Sequence, residues 1–297
     1  MIIDFHTHVF PRSFRDDRES LFSHEPAFLS LYRSPRARLI GIKQLLRDMN
    51  ADGIQKSVIF GFPWEKADHY RRHNDYIIEA VHEHPDRLIG FCCFSPLAPD
   101  GAYEAERCLE SGLSGVGELA VYGSGLSDAV VNGLKEVMAI CSQGDVPFLL
   151  HTNEPVGHDY AGKAPMTLLQ IYRFLKAYPS NRIVLAHWGG GLCFYALMLK
   201  EVGEVLRNVW FDTAASPYLY TPDIYRLAGE VIGFEKILFG SDYPLLKPQR
   251  YFREMASSAI SSRSIEQITG LNAAHLLGLS DNGKADNKTG RPQKSCI

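Results

Sequence analysis

Eight short apolar runs alternate with helical segments along nearly the whole chain, and this alternation restricts the possible folds more than any other feature. The runs end at glycine, proline or a polar residue, which is typical of buried strands. We predict strands at 2–8, 56–60, 88–94, 115–119, 147–151, 182–187, 209–212 and 236–240. Apolar residues at helical spacing predict helices at 39–49, 67–84, 102–111, 128–143, 166–178, 192–206 and 221–233, with two or three short helices between 249 and 279.

Strands that alternate with helices favour a parallel sheet whose faces are covered by those helices. Runs such as Ile183-Val184-Leu185-Ala186 show no polar alternation, as expected for strands that are buried on both faces. Eight β/α units in about 280 residues fit a (β/α)8 TIM barrel better than a doubly wound sheet. The doubly wound fold usually has a glycine-rich phosphate turn after its first strand, where this chain has His-x-His-x-Phe-Pro.

Two parts of the chain lie outside this alternation. Residues 9–38 form a polar connection that is too long for an ordinary loop, so we expect a functional or loosely ordered insertion after the first strand. Residues 281–297 are polar with little to bury, and we predict a disordered tail. The sequence therefore predicts one barrel domain over 1–280 followed by that tail.

Composition and charge narrow the class of protein. The chain has 297 residues, of which 45% are hydrophobic, as expected for a soluble globular enzyme. A net charge of −3 gives no field that would attract nucleic acid or an anionic membrane, and we see no bilayer-spanning run or leader segment. The six cysteines have no zinc-knuckle or Cys-x-x-Cys spacing, so we expect reduced thiols in a cytoplasmic protein. The expected partner is a small-molecule substrate, and a homo-oligomer stays open.

The first strand ends in two histidines, His6 and His8. Alternate residues of a strand point to the same face, so the two imidazoles would project side by side from one strand end. Imidazole is the commonest nitrogen ligand of zinc and related ions, which makes the pair a candidate part of a metal site. The alternative is two packed or exposed histidines at a strand end.

Four further side chains that can bind metals come immediately after apolar runs. They are Glu118 after the fourth strand, His151 after the fifth, His187 after the sixth and Asp242 after the eighth. In a TIM barrel the chemistry lies on the loops after the carboxyl ends of the strands. We therefore expect all six residues to meet at one mouth of the barrel, although each alone could be an ordinary hydrogen-bonding residue.

Nitrogen and oxygen ligands without thiolate favour a catalytic divalent ion, most readily Zn²⁺, with Mn²⁺ or Fe²⁺ as alternatives. In this interpretation the ion activates a water molecule, and Asp242 takes the proton of that water. His187 either binds a second ion or stabilises the developing oxyanion. Glu118 either bridges two ions or contacts the ligands without binding an ion itself. The sequence therefore leaves open whether the site holds one ion or two.

This order of ligands resembles the amidohydrolase superfamily. The flanking words Ile-Ile-Asp-Phe-His-Thr-His-Val-Phe-Pro and Leu-Phe-Gly-Ser-Asp-Tyr-Pro are similar to its amidohydrolase-2 branch, which includes aminocarboxymuconate-semialdehyde decarboxylase, and residues 268–279 match the terminal helix of that branch. The resemblance covers about residues 1–280. It implies a distorted TIM barrel with a catalytic metal, usually zinc. It also implies His6, His8, His151 and Asp242 as ligands and His187 as a ligand or catalytic polariser.

Glu118 departs from the decarboxylases of that branch, which generally have no glutamate after the fourth strand. Its Gly-Glu-Leu setting is more similar to TatD-type hydrolases, where the glutamate contacts two metals. We therefore expect a metal-dependent hydrolase in which metal-activated water attacks a C–O or C–N bond of a lactone, ester or amide. The alternative is a non-oxidative decarboxylase of an aromatic or unsaturated acid. Two further hypotheses are a TatD-like nuclease and a barrel without catalytic activity.

Other residues have competing interpretations. His69 and His73 lie four apart on a helix without the glutamate of a metalloprotease helix, and we expect a solvated helix face there. The insertion carries three arginines that either hold a substrate carboxylate or are solvated; these are Arg12, Arg15 and Arg18. Aromatic residues that follow strand ends either line an apolar pocket or pack in the core; these are Phe10, Trp64, Tyr122, Trp188 and Tyr243.

Overall fold

The computed structural model describes residues 1–123 and 125–279, which contain one sheet of eight parallel strands in chain order. The strands are β1 (Ile3–His8), β2 (Lys56–Phe60), β3 (Leu88–Cys92), β4 (Gly115–Leu119), β5 (Phe148–Leu150), β6 (Ile183–Leu185), β7 (Val209–Asp212) and β8 (Ile237–Leu238). The N–H group of Phe5 donates to the carbonyl of Phe239 at 2.7 Å, and Thr7 bridges to Tyr243. The chain after β8 therefore returns to β1, and the predicted (β/α)8 TIM barrel is confirmed.

Each predicted strand is present, with bounds that differ by up to two residues at either end. The α-helices are α1 (Arg12–Asp16), α2 (Glu19–Phe22), α3 (Pro26–Tyr32), α4 (Ile42–Asp52), α5 (Ala67–Glu83), α6 (Gly101–Glu110), α7 (Asp128–Gly133), α8 (Lys135–Gly144), α9 (Leu168–Ala177), α10 (Lys200–Val205), α11 (Ser216–Leu219), α12 (Asp223–Ile232), α13 (Pro248–Ser257), α14 (Ser262–Glu266) and α15 (Asn272–Leu276). The 3₁₀ helices are His187–Leu197 and Phe234–Lys236, and Gln267–Leu271 is π-helical.

Two predicted helices differ from the structure for local reasons. The helix predicted at 128–143 is divided at Leu134, directly after Gly133, whose lack of a side chain weakens a helix. The helix predicted at 192–206 is α-helical only in α10, because the chain before it follows the 3₁₀ path. The run from Trp188 to Gly191 has φ angles between 61° and 88°, a left-handed conformation that glycine adopts at little cost.

The insertion after β1 is folded rather than loose. Residues 9–38 form α1, α2 and α3, and Phe14 and Phe28 from this segment are fully buried. Two of its arginines bind backbone carbonyls, since Arg15 donates to Phe10 at 3.0 Å and Arg18 donates to Ala37 at 2.9 Å. These two guanidinium groups therefore hold the insertion together, which neither of the predicted roles anticipated.

The prediction that His69 and His73 lie on a solvated face of α5 is wrong. His73 is fully buried, and the side chain of His69 is only 13% exposed. Trp64 donates from Nε1 to Nδ1 of His73 at 2.9 Å, and Nε2 of His73 donates to the carbonyl of Val9 at 2.6 Å. The insertion and the loop after β2 cover this face, and helical periodicity alone did not show that cover.

Three remaining expectations concern the cysteines, membranes and the end of the chain. The five cysteines within the described residues are free and buried. In the same part of the chain, no helix combines the length and the apolar character needed to cross a membrane. The predicted tail at 281–297 lies outside the described residues.

Candidate metal centre

The six predicted ligands come together at the carboxyl ends of five strands. The Nε2 atoms of His6 and His8 lie 3.3 Å apart. Oδ1 of Asp242 lies 3.4 Å from Nε2 of His8 and 3.8 Å from Nε2 of His6. All the side chains are buried except for those of His8 and Asp242, which are 13% and 15% exposed. The cluster is therefore closed towards the barrel and open on the side where these two residues lie.

Glu118 lies in the middle of the cluster and uses its two oxygens differently. Oε2 lies 3.6 Å from Nε2 of His6 and 3.7 Å from Nε2 of His8. Oε1 lies 3.0 Å from Nδ1 of His151 and 3.4 Å from Nε2 of His187. One carboxylate therefore faces two pairs of imidazoles, one pair on each side.

Local irregularities in the backbone aim these side chains. The pairing of β1 with β2 shifts register between Asp4 and Thr7, and that of β4 with β5 shifts between Val116 and Leu119. His6 and Glu118 lie within these two interruptions, and such bulges commonly redirect a side chain beside an active site. His187 and Asp242 have positive φ angles of 55° and 57°, which are unusual for residues other than glycine and cluster at functional sites.

Each of the four imidazoles is fixed through its other ring nitrogen. His6 donates from Nδ1 to Asp212 at 2.7 Å, and His8 donates from Nδ1 to the carbonyl of Gly61 at 3.2 Å. His151 donates from Nε2 to the carbonyl of Gly162 at 3.0 Å. His187 donates from Nδ1 to the carbonyl of Ala214 at 2.9 Å. The nitrogens that remain all face the cluster, which is the arrangement that metal-binding histidines adopt.

Sequence reasoning missed Asp212, the last residue of β7. Its Oδ2 accepts the hydrogen bond of His6, and its Oδ1 accepts from the N–H groups of His187 at 2.8 Å and Ala214 at 3.0 Å. Asp212 is fully buried and therefore orients two of the candidate ligands at once. Its position directly at the end of an apolar run was the same signal that identified the other six residues.

The electrostatics of the cluster favour a cation. Burial alone would raise the pKa of Glu118, but the charges of His6 and His151 outweigh burial and hold that pKa well below its usual range. Burial lowers the pKa of His6, yet the carboxylates of Glu118 and Asp212 raise it well above its ordinary value. The pKa of Asp242 falls to about 2 despite burial, through the hydrogen bond from His8 and the charge of His6. The ionised carboxylates thus demand positive charge between them, which protons or a bound cation can supply.

The donor atoms fit a divalent cation. Three overlapping groups have ligand atoms within 4.8 Å of one another, namely His6, His8 and Glu118; His6, His187 and Asp242; and Glu118, His151 and His187. Nitrogen and oxygen ligands bind Zn²⁺-like ions at about 2.1 Å, so ligand atoms of one ion lie about 3 to 4 Å apart. The measured separations of 3.0–3.8 Å meet that requirement.

Aromatic side chains surround the cluster. The ring of Phe60, which sequence reasoning did not single out, lies 5.0 Å from that of His6 and 4.8 Å from that of His8. Tyr122 is only partly buried, and its ring lies 5.5 Å from that of His151. The other four predicted pocket-wall residues are buried in the core; they are Phe10, Trp64, Trp188 and Tyr243.

Comparison with known proteins identifies the family. A family model described as amidohydrolase matches residues 3–279. The chain belongs to the amidohydrolase family. The resemblance to this superfamily that the strand-end motifs predicted is thereby confirmed, and the family is one of enzymes.

Three proteins illustrate what this chain is similar to. Gamma-resorcylate decarboxylase of Polaromonas sp. is 27% identical, with 82% of this chain and 86% of that protein covered. The 2-amino-3-carboxymuconate-6-semialdehyde decarboxylase of Dictyostelium discoideum is 22% identical, with 94% and 92% covered. A crystal structure of 5-carboxyvanillate decarboxylase from Novosphingobium aromaticivorans, complexed with manganese and 4-hydroxy-3-methoxy-5-nitrobenzoic acid, has a TM-score of 0.72 at 19% identity, with 94% and 96% covered.

Proposed function

We propose that this protein is a metal-dependent, non-oxidative decarboxylase of an aromatic or unsaturated carboxylic acid. The observation that carries the proposal is the set of four imidazoles, each fixed through one nitrogen and turned with the other towards two carboxylates at the barrel mouth. Glu118 alone led us to expect a hydrolase. Similarity to decarboxylases over most of the chain favours the alternative instead.

A divalent ion is part of this proposal. His6, His8 and Asp242 would hold it, with Glu118 beside them. The manganese in the similar 5-carboxyvanillate decarboxylase supports a divalent ion and makes Mn²⁺ as good a candidate as Zn²⁺. When bound, the ion supplies positive charge that orients oxygens of the substrate and stabilises negative charge on them.

The chain's own residues must then deliver one proton to the substrate. When the bond between the ring or chain carbon and the carboxyl group breaks, CO₂ leaves and the carbon keeps the electron pair, so it must take up a proton. Nδ1 of His187 is committed to the carbonyl of Ala214, and Nε2 faces Glu118 inside the cluster. We assign that proton to Nε2 of His187. Asp242, whose pKa of about 2 keeps it ionised, would hold the ion beside this proton.

Isotope labelling tests this function. The protein, stripped with a chelator and reloaded with Mn²⁺, is incubated in H₂¹⁸O with carboxyl-¹³C forms of γ-resorcylate, 5-carboxyvanillate and 2-amino-3-carboxymuconate semialdehyde. We expect ¹³CO₂ from at least one acid, and no more ¹⁸O in the organic product than in the same mixture without enzyme, because an aldehyde exchanges its oxygen with water. Asp242→Asn and His187→Ala should abolish this release, and His24→Ala, on the exposed surface of the insertion, should not.

A second candidate function is favoured by Glu118. Its two oxygens face two different pairs of imidazoles, which suits two cations bridged by one carboxylate. Such a pair is typical of enzymes that use water to cleave esters, lactones or amides. Incorporation of ¹⁸O into the product of such a substrate, with no CO₂ released from any of the three acids, would favour this hydrolase and overturn the decarboxylase.

A further inference from the structure

His73, on α5, is fully buried and takes no part in the proposed reaction, yet both of its ring nitrogens are hydrogen-bonded. Trp64 donates from Nε1 to Nδ1 at 2.9 Å, and Nε2 lies 2.6 Å from the carbonyl of Val9. Because an indole N–H can only donate, Nδ1 must accept and the ring proton must lie on Nε2. The two bonds therefore fix one tautomer and one orientation of this ring.

The bond from Nε2 of His73 reaches the residue next to a candidate metal ligand. Val9 directly follows His8, the last residue of β1. Its N–H donates to the carbonyl of Phe60 at 3.3 Å, and its own carbonyl accepts from His73. The backbone on this side of His8 is therefore held at both of its polar groups.

The same ring packs against the residue that orients His8 through its other nitrogen. The carbonyl of Gly61, directly after β2, accepts from Nδ1 of His8 at 3.2 Å. A Cβ atom at Gly61 would lie only 2.7 Å from Nδ1 and 2.8 Å from Cγ of His73. Only glycine permits so close an approach of the backbone to the ring. His73 therefore also limits where the Gly61 carbonyl can lie.

Aromatic neighbours leave the His73 ring little room to move. The ring centroid of Phe10 lies 5.0 Å from that of His73, and that of Phe14 lies 5.6 Å away. Both phenylalanines are buried. Closely packed side chains of this kind transmit a displacement to their neighbours instead of absorbing it. A change at the ring should therefore be felt at Val9 and Gly61.

We propose that His73 is a positioning residue for the candidate ligand His8. It holds Val9 and Gly61 so that Nδ1 of His8 stays on the Gly61 carbonyl and Nε2 stays turned towards the cluster. An ordinary buried histidine would be just as well bonded, but both groups that His73 holds on this side belong to the immediate surroundings of one candidate ligand. The inference rests on the proposed function, in which His8 helps to hold the divalent ion.

A double-mutant cycle with Mn²⁺ as the probe tests this role. Competition with a chromophoric chelator gives the Kd of Mn²⁺ for His73→Ala, Gly61→Ala and the double variant. Each single substitution should raise the Kd about tenfold, the lower end of the loss expected when the orientation of a metal ligand is disturbed. Because the methyl group at Gly61 acts by displacing the His73 ring, the double variant should also lose about tenfold, whereas independent effects would give about a hundredfold.

Two alanine variants away from the cluster are the matched controls. Asn181 is buried, donates to the carbonyl of Met138 at 2.7 Å and lies before β6, at the end of the barrel opposite to the cluster. Asn181→Ala should lower the melting temperature, as His73→Ala does, and leave the Kd of Mn²⁺ unchanged. Gly133→Ala should leave it unchanged too, because a Cβ there meets open space.

Three results of the cycle would overturn the inference. They are an unchanged Kd in either single variant, a loss of about a hundredfold in the double variant, and a loss in Asn181→Ala as large as that in His73→Ala. If His73→Ala does not fold, Gly61→Ala decides, because the same displacement of the ring should still raise the Kd.

A measurement on the metal-free protein separates this inference from the proposed function. Nitrogen NMR of protein labelled with ¹⁵N-histidine reports the tautomer of His8, whose signals are assigned by their loss in His8→Asn. We expect only the Nδ1–H tautomer in the wild type and both tautomers in His73→Ala and Gly61→Ala. A wild type that binds no Mn²⁺ would overturn the proposed function, and the tautomer would still decide the inference. A single unchanged tautomer of His8 in both variants would overturn the positioning role.

Discussion

His6 donates a hydrogen bond from Nδ1 to Oδ2 of Asp212 at 2.7 Å, and neither side chain is exposed to solvent. The bond selects the tautomer of His6 in which Nε2 is free to face Glu118 and His8. Because the other oxygen of Asp212 accepts from the backbone of His187, one carboxylate aligns two sides of the cluster. The orientation of these candidate ligands therefore depends on Asp212, whose two oxygens both accept hydrogen bonds.

Asp212→Asn should lower the affinity for Mn²⁺ about 10- to 100-fold. The amide nitrogen of asparagine donates hydrogen bonds and does not accept them, so the variant cannot accept from both His6 and His187, and His6 loses its orientation. Competition with a chromophoric chelator measures the affinity. Asp223→Asn, on α12 with a side chain 65% exposed, is the control and should leave the affinity unchanged. Equal affinities for wild type and Asp212→Asn would contradict the orienting role.

If Glu118 bridges two ions, as the hydrolase requires, Glu118→Gln should lower the number of Mn²⁺ ions bound at saturation from about two to about one, since each oxygen of Glu118 faces its own pair of imidazoles. The proposed decarboxylase, with one ion held by His6, His8 and Asp242, predicts about one ion in both proteins. The count is made by elemental analysis after equilibrium dialysis. The same count in the wild type and the variant would exclude Glu118 as a bridge, and would remove the observation that favours the hydrolase.

His73 should make the protein less stable in acid. Burial lowers its pKa to about 3 in the folded protein, whereas an unfolded histidine titrates near 6.5. Between these values the unfolded chain binds a proton that the folded chain does not, so stability is complete above about pH 6.5 and falls as the pH drops towards 3. The slope from this residue is about 1.4 kcal/mol per pH unit.

His73→Gln removes this titration, so the free energy of unfolding should depend less steeply on pH below about 6.5. At neutral pH the variant should be less stable by about 1 to 3 kcal/mol, because the bonds to Trp64 and Val9 are disturbed. Urea unfolding of the metal-free protein at several pH values gives both the pH dependence and the free energy of unfolding at neutral pH. Exposed His24→Gln is the control, and the prediction fails if both variants keep the wild-type slope.

Glu25→Ala should lower the free energy of unfolding by about 2 kcal/mol, because two backbone N–H groups and His69 lose their buried acceptor. Urea unfolding measures this change. Glu19→Ala, in the exposed part of α2, should have little effect. An equally small effect of both substitutions would mean that the insertion is not anchored through Glu25.

The sequence was sufficient for the barrel and for the cluster of six candidate ligands at its mouth, because both depend on local patterns. An unbroken apolar run identifies a strand that is buried on both faces, and the polar residue after it lies at the mouth of a parallel barrel. That logic located residues as distant as His6 and Asp242. It did not single out Asp212, because a position at the end of a strand does not show whether a carboxylate binds an ion or accepts hydrogen bonds from the neighbouring ligands.

Features that depend on packing between distant segments could not be predicted in this way. The periodicity of α5 correctly indicated a helix, yet the burial of His73 depends on Trp64 and on the insertion. The insertion looked polar because its buried residues, such as Phe14 and Phe28, are spread over three short helices. The run from Gly189 to Gly191 breaks helical geometry through its backbone conformation rather than through polarity.

The most direct test of the account counts the metal held by the cluster. Protein stripped with a chelator is reloaded with Mn²⁺, dialysed and analysed for manganese, for the wild type and for His8→Ala, His151→Ala, Asp242→Asn and the control His24→Ala. We predict at least one ion per chain in the wild type and the control, and a clear loss in each of the three site variants. A wild type that retains no ion, or an unchanged content in all three variants, would contradict the account.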